Sequence, residues 1–147
     1  MVLQRCRGLP EVGSATQKLV LIVDDDEVER FLLRRALEER GYVVEEAETA
    51  DDALMCCQFA QPDALISDIF LPGPTGIDLC RTLRTEPGTT HLPVVLLTGS
   101  KDPGIRDQAK VAGASVYLQK SPDFSTVINA ITGLLSFSGE SAHPNRH

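Results

Sequence analysis

Tryptophan is absent from this sequence and aromatic residues make up only 5% of it. Basic and aromatic side chains do not gather in the last helical stretch or the tail, where a nucleic-acid reader would need them. Positive charge is in deficit, 14 Lys and Arg against 21 Asp and Glu, for a net charge of −7. Nucleic acid and anionic membrane are therefore poor partners. No apolar run approaches membrane-spanning length, and the N-terminus lacks the continuous apolar core of a signal peptide. A cytoplasmic location is the expectation. The four cysteines, Cys6, Cys56, Cys57 and Cys80, show neither paired CxxC spacing nor a dense disulfide pattern. Cys57 and Cys80 fall on apolar helix faces and read as small, reduced core residues. The three histidines, His91, His143 and His147, form no ligand cluster.

The 147 residues suffice for one domain with a proper core, and 42% hydrophobic with 24% charged content is ordinary for a globular chain. Residues 1–17 read as an irregular leader containing Gly8, Pro10 and Gly13, and residues 137–147 as a small, polar, disordered tail. Between them, apolar runs of strand length alternate with helical periodicity. Leu19–Val23 is a continuous apolar run, as in a strand covered on both faces. Val28, Phe31, Leu32, Ala36 and Leu37 then recur at helical spacing until Gly41, with Asp26 and Glu29 resembling a capping box. Val43 and Val44 open a less apolar second strand suited to a sheet edge, and Thr49 caps a helix burying Ala50, Ala53, Leu54 and Cys57. The run from Leu65 that ends in Asp68 is a third strand, followed from Gly76 by a helix with Ile77, Cys80 and Leu83 inward. Pro93–Leu97 is a fourth. Asp102 and Pro103 start a helix that Gly113 ends, and Val116–Gln119 is a fifth strand. Phe124, Val127, Ile128, Ile131, Leu134 and Leu135 mark the last helix. Five strands alternating with five helices predict an α/β fold, a parallel sheet covered on both faces.

In such a sheet, ligands bind beyond the carboxyl ends of the strands. Four strands end there in reactive types: Asp24 and Asp25, Asp68, Thr98, and Lys120. Singly, each has a bland reading as a cap, a turn hydroxyl or a surface amine. Asp68 is the least easily explained that way, because Leu71-Pro72-Gly73 separates it from the next helix. Four such ends on one edge of a sheet point to a site. Three crowded carboxylates repel one another, and each takes up a proton unless a cation sits among them. Hard oxygen ligands with room for water suit Mg²⁺. A lysine and a hydroxyl beside them balance phosphoryl oxygens, so the implied chemistry is phosphoryl transfer to a carboxylate.

Val23-Asp24-Asp25, Asp68 with Pro72-Gly73, Leu97-Thr98-Gly99 and Tyr117-Leu118-Gln119-Lys120 together resemble the receiver domain of bacterial two-component response regulators. The likeness covers about Lys18 to Ser136, so the receiver is expected over residues 18–136. It implies a flavodoxin-like doubly wound sheet of strand order 2-1-3-4-5. It further implies that Asp68 accepts a phosphoryl group from a histidine kinase or phosphotransferase. Asp25, Asp68 and the Phe70 backbone carbonyl would bind Mg²⁺ directly, and Asp24 largely through water. Lys120 would pair with the phosphoryl group, Thr98 would move toward it, and Tyr117 would swing inward. Output would run through the fourth helix, fifth strand and fifth helix, to a downstream protein or a second copy. No DNA-binding or catalytic output domain fits after Leu135.

Two positions depart from the receiver pattern. Receivers usually carry proline directly after the lysine, often across a cis bond, whereas Ser121 intervenes here before Pro122. A cis Lys120–Ser121 bond would cost about 2.5–4 kcal/mol. A rearranged loop is therefore expected, with Pro122 in the first turn of the last helix and Ser121 as its cap. Gly99 replaces a commoner alanine. Two other readings remain open from the residues. An aspartate-nucleophile phosphatase would need a second acid, which Asp68-Ile69-Phe70 lacks. A binding module would keep the acidic pocket but never carry phosphate.

Overall fold

The computed structural model describes the backbone of residues 17–145 and side chains through residue 136. All but Gln17 of the expected leader lies outside the described residues, as do the side chains of the expected tail. The order of elements is β1 (Leu19–Val23), α1 (Glu27–Glu38), β2 (Val43–Ala47), α2 (Ala50–Ala60), β3 (Ala64–Asp68), α3 (Gly76–Thr85), β4 (Val94–Thr98), α4 (Pro103–Ala112), β5 (Val116–Gln119) and α5 (Ser125–Asn145). The backbone of α5 thus continues past residue 136.

The five strands form one parallel sheet of order β2-β1-β3-β4-β5. The alternation predicts the parallel sheet, and the flavodoxin-like strand order is the one that the resemblance implies. Period-2 alternation sorts each strand into two cores. Leu21, Val23, Leu65, Val94 and Leu96 face α2, α3 and α4. Val20, Ile22, Ile66 and Val95 face α1 and α5. Leu21, Ile22, Leu65, Ile66 and Leu96 are fully buried, each stabilising the fold by about 1.5–3 kcal/mol. This sheet is the rigid floor from which the loops at its carboxyl edge project.

Helix starts follow local chemistry. The Thr49 hydroxyl accepts from the Asp52 N–H, and Asp102 accepts from the Gly104 N–H with Pro103 in the first turn. Thr75 and Asp78 form a reciprocal capping box at α3. Gly41 and Gly113 take positive φ just beyond α1 and at the end of α4.

Three local expectations are corrected. Val28, Phe31 and Leu32 of α1 are exposed, and the buried stripe is Arg30, Leu33 and Leu37. In this orientation Leu33 and Leu37 fill the core while Arg30 reaches Glu46 and the Asp24 carbonyl. Asp26 does cap α1, accepting from Val28 and Glu29 N–H groups, but the Glu29 carboxylate reaches Lys120 instead of closing a capping box. No cis peptide bond occurs among the described residues. At α5, Asp123 accepts from the Ser125 N–H, while Ser121 accepts from the Asp123 N–H. Ser121 is therefore not the cap, and Pro122 lies ahead of the helix.

Candidate functional site at the carboxyl edge of the sheet

Parallel pairing brings the functional strand ends to one edge. Val23 is in register with Ser67, Asp68 with Leu97, and Thr98 with Gln119. Each following residue therefore leaves the sheet beside its neighbours. Asp24, Asp25 and Asp68 meet there, with one carboxylate oxygen from each within 4.8 Å of the others. Asp24 and Asp68 are buried and Asp25 is exposed.

Lys120 is the cation shared by this cluster. Its Nζ lies 3.0 Å from Asp68 Oδ2, 3.8 Å from Asp24 Oδ2 and 2.6 Å from Glu29 Oε1. Two backbone donors also reach the cluster: the Asp26 N–H to Asp24 Oδ1 at 2.9 Å and the Phe70 N–H to Asp68 Oδ1 at 3.4 Å. One ammonium does not neutralise so many carboxylates. Burial pushes the Asp24 carboxyl up to about 7, aided by its contact with Glu29 and by Asp68, against the Asp26 N–H and Lys120. Burial likewise raises Asp68, opposed by Lys120. Lys120 is raised despite its own desolvation, because Glu29 and Asp68 stabilise its charge.

These properties answer whether the residues fit Mg²⁺. Three hard oxygen donors converge, one of them facing solvent, and their negative charge is under-compensated. Mg²⁺ prefers a few carboxylates plus retained water over a closed protein cage. The triad fits it.

Packing behind the pocket is close. A Cβ on Gly76 would overlap the Asp68 carbonyl oxygen, and the Gly76 N–H donates to the Ile69 carbonyl at 2.7 Å. Ser67 Oγ donates to the same Asp68 carbonyl at 2.8 Å. From the other side, Arg30 Nη1 donates to the Asp24 carbonyl at 2.7 Å and Nε to Glu46 at 2.8 Å. Neither Arg30 nor Glu29 stands out in the sequence as part of a site. The available signal was a charged pair in the first turn of α1 beside Asp24-Asp25.

The other expected residues occupy the surrounding edge. Thr98 is fully buried, and its Oγ1 accepts from the Ser100 N–H at 3.0 Å. Its carbonyl accepts from the Lys120 N–H at 2.7 Å, fixing the lysine to β4. Tyr117 is half-buried on β5, with the Arg106 guanidinium 6.0 Å from its ring centroid. The Phe70 side chain is exposed. Thus Asp24, Asp25, Asp68 and Lys120 come together. Thr98 is tied to Lys120 through backbone, and Tyr117 lies two strand positions before Gln119.

A 2-1-3-4-5 parallel sheet with an acidic triad and a lysine at its carboxyl edge defines a receiver domain, a signalling module. The chain belongs to the family described as the response regulator receiver domain, which matches residues 20–132. It is 39% identical over 107 residues to the phosphate regulon transcriptional regulatory protein PhoB of Rhizobium meliloti, covering 73% of this chain but only 46% of that protein. It therefore spans about half the length of that relative. Protein PilH of Pseudomonas aeruginosa is 32% identical over 117 residues, covering 80% of this chain and 97% of PilH. Among solved structures, the response regulator TrrA of Thermotoga maritima, in complex with Mg²⁺ and BeF, superposes with a TM-score of 0.73 at 30% identity. That match covers 80% of this chain and 99% of TrrA. Two-component signalling is the family's setting, and a histidine kinase is its general partner. Among the described residues, no helix is long and apolar enough to cross a membrane.

Proposed function

We propose that Asp68 accepts a phosphoryl group from a phosphohistidine donor, a histidine kinase or phosphotransferase, and that the acyl phosphate switches protein association. The observation that carries this reading is Lys120 Nζ lying 3.0 Å from Asp68 Oδ2 inside a triad of carboxylates. An Asp68 oxygen attacks phosphorus, an O–P bond forms, and the P–N bond to the imidazole breaks. A phosphoimidazole protonated at its other nitrogen leaves as neutral imidazole, so the site needs no second acid. Asp24, Asp25, Asp68 and the Phe70 carbonyl are the groups assigned to Mg²⁺, which when bound supplies positive charge for carboxylate and phosphoryl oxygens. Lys120 offers N–H donors to the incoming phosphoryl oxygens.

The response follows from the neighbouring strands. Thr98 Oγ1 accepts from Ser100, leaving its O–H to turn toward a new phosphoryl oxygen. That motion opens space for the half-buried Tyr117 ring and changes the surface of α4, β5 and α5. The readout is association with a downstream protein or a second copy, in the cytoplasm, with neither nucleic acid nor membrane as partner of residues 18–136. Phosphate shifts an equilibrium between existing conformations.

Intact-mass measurement after acetyl phosphate and Mg²⁺ tests the assignment. Wild type gains one hydroxylamine-labile phosphate and Asp68→Asn gains none. Equal uptake by both proteins would remove Asp68 as the acceptor.

A further inference from the structure

Glu29 makes the shortest contact to Lys120, 2.6 Å, against 3.0 Å for Asp68 and 3.8 Å for Asp24. Its place is built in. The Glu29 N–H is capped by Asp26 Oδ1 in the first turn of α1, so the side chain starts from a fixed backbone. From there it spans to a lysine 91 residues away. The Glu29 side chain is 44% exposed and that of Lys120 28%. The pair sits at the mouth of the pocket, where the carboxylate can swing away into water. Hydrogen bonding to Lys120, more than any other influence, holds the Glu29 carboxyl below its ordinary range.

We infer that Glu29 is a positioning residue that occupies Lys120 as a competing counter-ion and thereby slows the uptake of phosphate by Asp68. The inference rests on the phosphorylation reading above. An ammonium has three N–H donors and no acceptor. Glu29 and Asp68 hold two of them, while Asp24 Oδ2 at 3.8 Å lies beyond hydrogen-bond length. A phosphoryl group arrives with nearly two negative charges and strong acceptor oxygens. One unheld donor is a weak grip on such a group, and freeing a second requires a carboxylate to release the lysine. Asp68 is the nucleophile and has to stay in place, which leaves Glu29 as the group to leave. Until it does so, it also adds negative charge at the entrance used by an anionic donor. Half-exposed ion pairs are modest, so the barrier it adds corresponds to a rate factor of about two to five.

The test uses the full chain with saturating Mg²⁺ and acetyl phosphate, comparing wild type, Glu29→Gln and Glu29→Asp. Initial phosphorylation rates are measured by intact mass at low and high ionic strength. Glu29→Gln is expected to run about two- to fivefold faster at low salt, with a weaker salt dependence. Glu29→Asp keeps the charge and stays nearer wild type. A merely structural role predicts a slower variant, so the direction of the change separates the two. Normal wild-type phosphorylation with a Glu29→Gln rate equal to it or lower overturns this inference alone. Absence of phosphate on wild-type Asp68 overturns the phosphorylation reading, and this one with it.

Discussion

Helices α1 and α5 lie on the same side of the sheet and close the same core, yet they are held there by different means. α5 docks through Val127, Ile128, Ile131 and Leu135, all buried and apolar. α1 contributes Leu33 and Leu37 to that core, but the third member of its buried stripe is Arg30, 4% exposed. Arg30 binds Glu46 and the Asp24 carbonyl, and its Nη2 lies 3.6 Å from Glu48. Arg34 adds further contacts to Glu46 and Glu38. To its apolar packing α5 adds an exposed hydroxyl contact, Thr132 Oγ1 to Tyr42 Oη at 3.1 Å. A helix pinned by a guanidinium to the end of β1 fixes the position of Asp24. α5 supports the fold, whereas α1 also sets the geometry of the site.

The largest effects that would break this contrast are at Arg30 and Ile131. Arg30→Ala leaves Glu46 with Arg34 alone and the buried Asp24 carbonyl short of a donor, which costs about 1–3 kcal/mol. Ile131→Ala in α5 is expected to cost about 2–5 kcal/mol by cavity formation. Urea denaturation measures both. The distinction lies in Mg²⁺ binding, which should weaken for Arg30→Ala and stay unchanged for Ile131→Ala. Equal Mg²⁺ affinities in the two variants would mean that Arg30 is only a core residue with a charge.

A smaller effect sharpens the comparison at the site itself. Asp24 has its carboxyl pushed up to about 7 by burial, from an ordinary value of 3.8. A group whose folded value is raised stabilises the fold fully below the unfolded value and loses that contribution as pH rises through the folded one. In EDTA, stability should therefore fall as pH rises from 3.8 to about 7, with Asp68 acting in the same direction. Glu29 is lowered, so its contribution is lost only under more acid conditions and does not mask this slope. Mg²⁺ binds the ionised carboxylates and should restore stability at the upper end by mass action. Asp24→Asn should flatten the EDTA profile of melting temperature. A profile as steep as that of wild type would assign the slope to other groups.

The strands, α5 and the four reactive strand ends were legible because each depends on local pattern. Continuous apolar runs specify buried parallel strands, and a parallel sheet collects its carboxyl ends on one edge. What escaped was set by partners far along the chain. Burial of Arg30 depends on Glu46, and Glu29 turns to Lys120 across 91 residues. Hydrophobic periodicity is blind to a charge that is buried because it is paired. The Lys120–Phe124 loop escaped for a local reason. Ser121 and Pro122 offered an acceptable helix start, but the Asp123 carboxylate two residues beyond Ser121 accepts the Ser125 N–H instead.

The smallest expected effect concerns the apolar side chains that α1 leaves outside. Val28 is 64% exposed, Phe31 53% and Leu32 47%. Their spacing is that of a core-facing stripe, but the core is already filled by Leu33 and Leu37. The Arg35 guanidinium lies 5.7 Å from the Phe31 ring centroid, a contact between exposed groups that contributes little. Substituting such a residue changes stability by less than about 0.5 kcal/mol. Phe31→Ser should therefore leave the urea midpoint nearly unchanged, whereas Leu37→Ser, six residues further along the same helix, should unfold the protein at much lower urea. The pair separates the two faces of α1 by a direct measurement. If Phe31→Ser proved as damaging as Leu37→Ser, the helix would be rotated in solution toward the apolar stripe. Arg30 would then point to solvent, and the pin that distinguishes α1 from α5 would be lost.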